Sequence, residues 1–131
     1  MAHATIEWTA NLQGEFDLPA LLALIAAEMR ERSGGVFPVG GIRVRARRVD
    51  DYVIADGTNP ADAFINIDVK MGAGRDAAFV QRFFTQMFDA VKTHLGDLFD
   101  RRPLALSLYI DEAEGWKHNS IHRRLAANNR N

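Results

Sequence analysis

Apolar and polar positions alternate along four stretches of the chain, the period of a strand with one buried face. In residues 4–9, Ile6 and Trp8 share one face while Thr5 and Glu7 share the other. In GIRVRARRV (41–49), Ile42, Val44 and Ala46 oppose Arg43, Arg45 and Arg47. The following DYVIADG either extends that strand or forms a bent second piece, and ADGTNPAD is turn chemistry. AFINIDVKM (63–71) is the cleanest: Ala63, Ile65, Ile67, Val69 and Met71 against Phe64, Asn66, Asp68 and Lys70. LALSLYIDE (104–112) sets Leu104, Leu106, Leu108 and Ile110 on one face.

Between these stretches the period changes to that of a helix. Leu18, Leu21, Leu22, Ile25 and Met29 fall on one helical face. Asp17 precedes them as an N-cap, Pro19 fits the first turn, and Arg30 and Arg32 suit the negative end of the dipole. Gly34 or Gly35 stops this helix. A second helix is predicted over roughly 77–99. Its stripe is Phe79, Val80, Phe83, Met87, Val91, Leu95 and Leu98, widened by Phe84 and Phe88, and Pro103 ends the region. From residue 113 the chain is polar and basic; WKHNSIH reads as an ordered extension and NNRN as a frayed end.

The order β-α-β, β-α-β predicts an α/β chain of two layers (α+β). Tandem β-α-β units, each with a parallel strand pair and right-handed crossover, form one four-stranded mixed sheet with both helices on one face. The 131 residues suit a single domain over 1–131, with 113–131 as its polar C-terminal extension. The other sheet face, with the arginine row, Phe64, Asp68 and Lys70, is either solvated or packed on other subunits.

Composition narrows the function. Hydrophobic residues are 47% and charged residues 25%, enough for a core without staples. There is no cysteine, which excludes disulfides, thiol catalysis and thiolate metal sites. A net charge of -1 argues against nucleic acid and membrane surfaces as partners. No apolar run approaches the roughly 20 residues of a membrane span, and no signal-like leader is present, so a cytoplasmic protein is expected.

Candidate chemistry lies in a few places. In KMGAGRDAA, Gly72, Gly74 and Ala77 match G-x-G-x-x-A, but no acidic residue closes a following strand as a dinucleotide site requires. Two readings stand level: glycine amides around Gly74 with Arg75 bind a small carboxylate, or this is a tight turn with a solvated arginine. Arg45 and Arg47 are expected to pair with Asp68, Glu7 or acids of another subunit. His118 and His122 stand four apart, as residues sharing a helix face do, but no further metal ligand accompanies them, so no metal site is expected. His94 is expected to pack, partly buried, on the second helix. A free amino group at a strand end beside arginines has its pKa lowered by like charge and can serve as a general base.

FDLPALL, GVFPVGGIRVR, ADG, KMGAGR, VKTHL, LALSLYIDE and WKHNSIH together resemble the 5-carboxymethyl-2-hydroxymuconate isomerase family of the tautomerase superfamily. The likeness runs from about His3 to His122. It implies a tautomerase-like fold, a homotrimer with active sites near subunit boundaries, and no metal or organic cofactor. It also implies proton transfer on an unsaturated 2-hydroxy or 2-oxo dicarboxylate-type acid, in the catabolism of homoprotocatechuate. The family's base is an amino-terminal proline, and two arginines bind carboxylates and polarise the 2-oxo group. Those arginines match Arg43 in GGIRVR and Arg75 in KMGAGR. Here Ala2 holds the proline position, so a primary amine, freed by loss of Met1, becomes the expected base. The alternative is a tautomerase-fold module that binds small carboxylates without turning them over.

Overall fold

The computed structural model describes residues 1–128; of the NNRN segment, 129–131 lie outside the described residues. Its strands are β1 (Ala2–Thr9), β2 (Arg43–Val49), β3 (Ala63–Met71) and β4 (Leu104–Glu112). Its helices are α1 (Leu18–Glu31), α2 (Ala77–Leu95), the single turn α3 (Leu98–Arg101) and α4 (Ile121–Asn128). The sheet order is β2-β1-β3-β4. The β1/β2 and β3/β4 pairs are parallel, and β1 and β3 join them antiparallel at the centre. Each β-α-β unit therefore supplies one parallel pair, and the sheet is mixed.

The alternating pattern decides which face is covered. Ala4, Ile6 and Trp8 of β1 and the five apolar residues Ala63, Ile65, Ile67, Val69 and Met71 of β3 are buried. The outer strands β2 and β4 bury their apolar positions only halfway, as edges do. Leu21, Ile25 and Met29 of α1 join Phe83, Phe84, Met87, Val91 and Leu95 of α2 in the same core cluster, so both helices lie on that face. Phe37, from the chain between α1 and β2, enters this core edge-on to Phe83 with centroids 5.4 Å apart.

Both long helices start as the capping rules predict. Asp17 accepts from Ala20 N at 3.0 Å and Asp76 from Phe79 N at 3.2 Å, each satisfying an orphan amide. The second helix is shorter than its apolar stripe suggests. It ends at Leu95 because Gly96 takes φ +56, a conformation an L side chain resists; Leu98 is buried from α3 instead. β2 stops at Val49, and DYVIADG is a loop whose turn closes through Gly57 N to Ile54 O at 2.9 Å.

Two histidine expectations are corrected. His94 is exposed, with a ring nitrogen 3.4 Å from Asp17 O, because it points off the apolar stripe of α2. His118 lies in irregular chain ahead of α4, so it shares no helix face with His122. Among the described residues no group of three or more His, Asp or Glu is placed to hold a metal ion.

Candidate active site

The sheet order brings three chain segments to one corner. Because β1 runs parallel to β2 and antiparallel to β3, its first residues meet the start of β2 and the end of β3. Ala2 lies opposite Met71, and His3 lies between Arg43 and Lys70. Ala2 is fully buried, so the amino-terminal end of β1 is held as firmly as its middle. Behind it, the turn Val39–Gly41 passes under Met1. A Cβ on Gly41 would stand 3.2 Å from Met1 Cα, so the bare glycine lets the two backbones approach.

Arg43 and Arg75 reach this corner by different routes. Arg43 Nη1 lies 3.5 Å from Met1 Sδ and 2.7 Å from His3 Nε2. Arg75 follows β3 in the Gly72–Asp76 loop and folds back, donating from Nη1 to Gly72 O at 2.6 Å. Its guanidinium carbon sits 5.0 Å from the centre of the Phe37 ring, a cation–π contact that orients the group. Arg75 Nε is buried without a hydrogen-bond partner.

The segment after β4 closes the corner from above. Ala113 N donates to Met71 O at 2.8 Å, continuing the sheet by one bond. Further on, Asn119 Nδ2 donates to Gly40 O at 2.7 Å, and its Oδ1 accepts from Ile121 N to start α4. Residues 113–119 are thus a strap fastened at both ends across the amino terminus. Met1 stands between two hollows beneath it. One, of about 170 Å³, is lined by His3, Met71, Gly72, Trp116 and Lys117 among others. The other, of about 230 Å³, is lined by Pro38, Gly41, Lys117, Asn119 and His122.

The local charge acts on the groups that can carry a proton. Burial, then Arg75 and Lys117, hold the terminal amine below its ordinary value of 8.0. Burial first, then Arg43, Arg45, the amine and Lys117, depress His3 below 6.5. A less basic amine is neutral over more of the physiological range, which is what a proton acceptor needs.

Of the residues singled out from the sequence, the structure brings Ala2, Arg43 and Arg75 to this corner. Gly74 is exposed at φ +95, and Gly72 rather than Gly74 lines the hollow. The Asp76 carboxylate occupies one helix-start amide, that of Phe79, and Arg75 is the loop's charged donor. Arg45 and Arg47 form no ion pair with Asp68 or Glu7. Asp68 instead accepts from Asn66 at 3.0 Å. Both arginines lie on the open sheet face, over a shallow hollow of about 510 Å³ shared with Thr5, Glu7, Asp68 and Asp111.

His3, Lys117, Phe37 and α4 were not foreseen. For α4 a signal exists: Asn119 and Ser120 precede Ile121, and Leu125 follows four residues later. The others are brought in by contacts across long stretches of chain, which local patterns do not encode.

Tandem β-α-β units on one mixed sheet are the architecture of the tautomerase fold. A fused 4-OT symmetric trimer shares the fold with a TM-score of 0.58 at 19% identity, over 89% of this chain and 95% of that one. The chain belongs to the 5-carboxymethyl-2-hydroxymuconate isomerase family, whose sequence profile matches residues 2–125. It is 35% identical over 125 residues to the 5-carboxymethyl-2-hydroxymuconate Delta-isomerase of Escherichia coli, covering 93% of this chain and 97% of that protein. The crystal structure of a 5-carboxymethyl-2-hydroxymuconate isomerase from Deinococcus radiodurans R1 has a TM-score of 0.85 at 36% identity. That match covers 95% of this chain and 93% of that one.

Proposed function

We propose that the protein isomerises an unsaturated 2-hydroxy acid of the 5-carboxymethyl-2-hydroxymuconate type to its 2-oxo form, in the catabolism of homoprotocatechuate. The observation that carries this reading is the buried amino-terminal end of β1, flanked by Arg43 and Arg75, where burial and Arg75 already hold the Met1 amine below its ordinary value. The neutral amine takes the proton of the 2-hydroxyl, and its conjugate acid returns a proton to the far end of the conjugated chain. The C2=C3 and C4=C5 double bonds become a C2=O and a C3=C4 bond, C5 gains the proton the 2-hydroxyl lost, and no atom is gained or lost, so the residues need only move a proton and hold charge. Arg43 and Arg75 bind carboxylate and stabilise negative charge on the 2-oxygen as it develops.

The base in this reading is the amine of Ala2 after Met1 is removed. With Met1 in place the Ala2 nitrogen is an amide and has no basicity. Intact mass together with an ultraviolet assay of ketonisation tests the assignment. Turnover by the des-Met protein that falls at least about tenfold in Arg75→Ala supports it. Carboxylate binding without turnover by the des-Met protein makes the chain a binding module instead.

The chain acts as a homotrimer in this reading. In the same reading Arg45 and Arg47, which form no ion pair among the described residues, pair with acids of the other subunits across the open face. A monomer at micromolar concentration in sedimentation equilibrium rules the trimer out. Among the described residues no helix is long and apolar enough to cross a membrane.

A further inference from the structure

The 113–119 strap does more than cover the amino terminus. It is tied to Met71 O at one end and Gly40 O at the other, so the residues between are held at a set height over Met1. Lys117 is the cation on this span, and it lines both hollows that flank Met1. It is exposed and forms no ion pair within the described chain. Its charge is felt at the terminal amine and at His3. The smaller hollow also carries Lys70, and Glu114 is the acid on its rim. Positive charge therefore converges from β2, from the loop after β3 and from the strap.

That is more cationic character than two carboxylates require. The compound in the family's name carries three: the two ends of the muconate chain and the carboxymethyl arm. We propose that Lys117 is a specificity-determining residue whose ammonium binds the third carboxylate, so that the site selects an unsaturated tricarboxylate over the matching dicarboxylate. This rests on the isomerase reading above. Arg43 and Arg75 hold the groups nearest the reacting carbons. Lys117, on its flexible four-carbon stem, reaches the branch. A lysine suits that place because a point charge with rotatable donors needs no fixed bidentate geometry.

The test compares two substrates with the des-Met protein: 5-carboxymethyl-2-hydroxymuconate and 2-hydroxymuconate, which lacks the carboxymethyl arm. In Lys117→Met, kcat/KM for the tricarboxylate falls about tenfold further than for the dicarboxylate, mostly through KM, as loss of a charge-assisted contact predicts. Lys117→Arg restores most of that selectivity, and raised salt erodes it in the wild type but not in Lys117→Met. Equal losses on both substrates, or no loss on either, overturn the assignment. So does selectivity lost in Lys117→Arg as fully as in Lys117→Met while both proteins melt like the wild type. If the wild type turns over neither substrate, the isomerase reading fails by itself. Calorimetric binding of the same two acids to wild type and Lys117→Met then decides the lysine's role by the same selectivity ratio.

Discussion

Arg43 Nη1 lies 2.7 Å from His3 Nε2, across the parallel register of β1 and β2. A guanidinium only donates, so His3 Nε2 must accept, and the imidazole is neutral with its proton on Nδ1. The contact turns Arg43 away from its neighbours in the arginine row and toward the amino terminus. Arg45 and Arg47, two and four residues on, have no such partner.

The charges facing His3 are Arg43 and Arg45 from β2, Lys70 from β3, the terminal amine and Lys117, with Glu114 on one side and Glu7, Asp68 and Asp111 lining the hollow on the other. Its pKa is expected below 6.5 by nuclear magnetic resonance titration, and Arg43→Ala is expected to raise it. The sign for stability follows. A base with a lowered folded pKa contributes fully above its unfolded value, and the contribution is lost as pH falls through the folded value. The imidazole is partly exposed, so the effect on melting is small and is confined to the range below 6.5.

Arg75 has one Nη on Gly72 O, its face on Phe37 and a buried Nε without a partner. Arg75→Ala is expected to lower kcat/KM roughly 10- to 100-fold, the scale of losing a charged hydrogen-bond donor. Arg75→Lys keeps the charge but loses the planar fork and is expected to recover only part of that loss. Steady-state kinetics on the des-Met proteins reads both.

The proposed mechanism makes activity depend on the free-base amine of Ala2. For the des-Met protein kcat/KM is expected to rise with pH and level off below 8, since the new terminus at Ala2 is buried and takes its place beside Arg75 and Lys117, the cations that lower the Met1 amine. Removing either cation raises that apparent pKa toward 8. Acetylating the terminus abolishes turnover at every pH.

Ala2→Pro tests the position most directly. Proline is tolerated at the first residue of a strand, and a secondary amine is less strongly hydrated than a primary one. With Met1 removed, kcat is expected to increase about tenfold or more, within the range that a well-matched general base contributes.

Gly40 is buried beneath α4, and a Cβ there would stand 2.5 Å from His122 Nδ1. Gly40→Ala is expected to lower stability by about 1 kcal/mol, because the exposed imidazole can swing aside at modest cost. His122→Ala removes the clash, so the double variant is expected to melt near the single His122→Ala protein. Differential scanning calorimetry of the set measures the coupling.

The elements themselves were written in local pattern. The β3 alternation from Ala63 to Met71 appears residue for residue in the burial of that strand, and the first helix begins at Asp17, the cap its pattern names. Periodicity records which side of an element is buried, and capping depends on neighbours a few residues apart, so one-dimensional information suffices. Family likeness extended that reading to Ala2, Arg43 and Arg75. The site as an object came from the tertiary structure. Only the β2-β1-β3 order makes the start of β1, the start of β2 and the end of β3 one corner. Only the return of the strap to Gly40 sets Lys117 over Met1, and only the burial of Phe37 in the core puts its ring beneath Arg75. These contacts join residues tens of positions apart, and they depend on register and packing that no local spacing encodes.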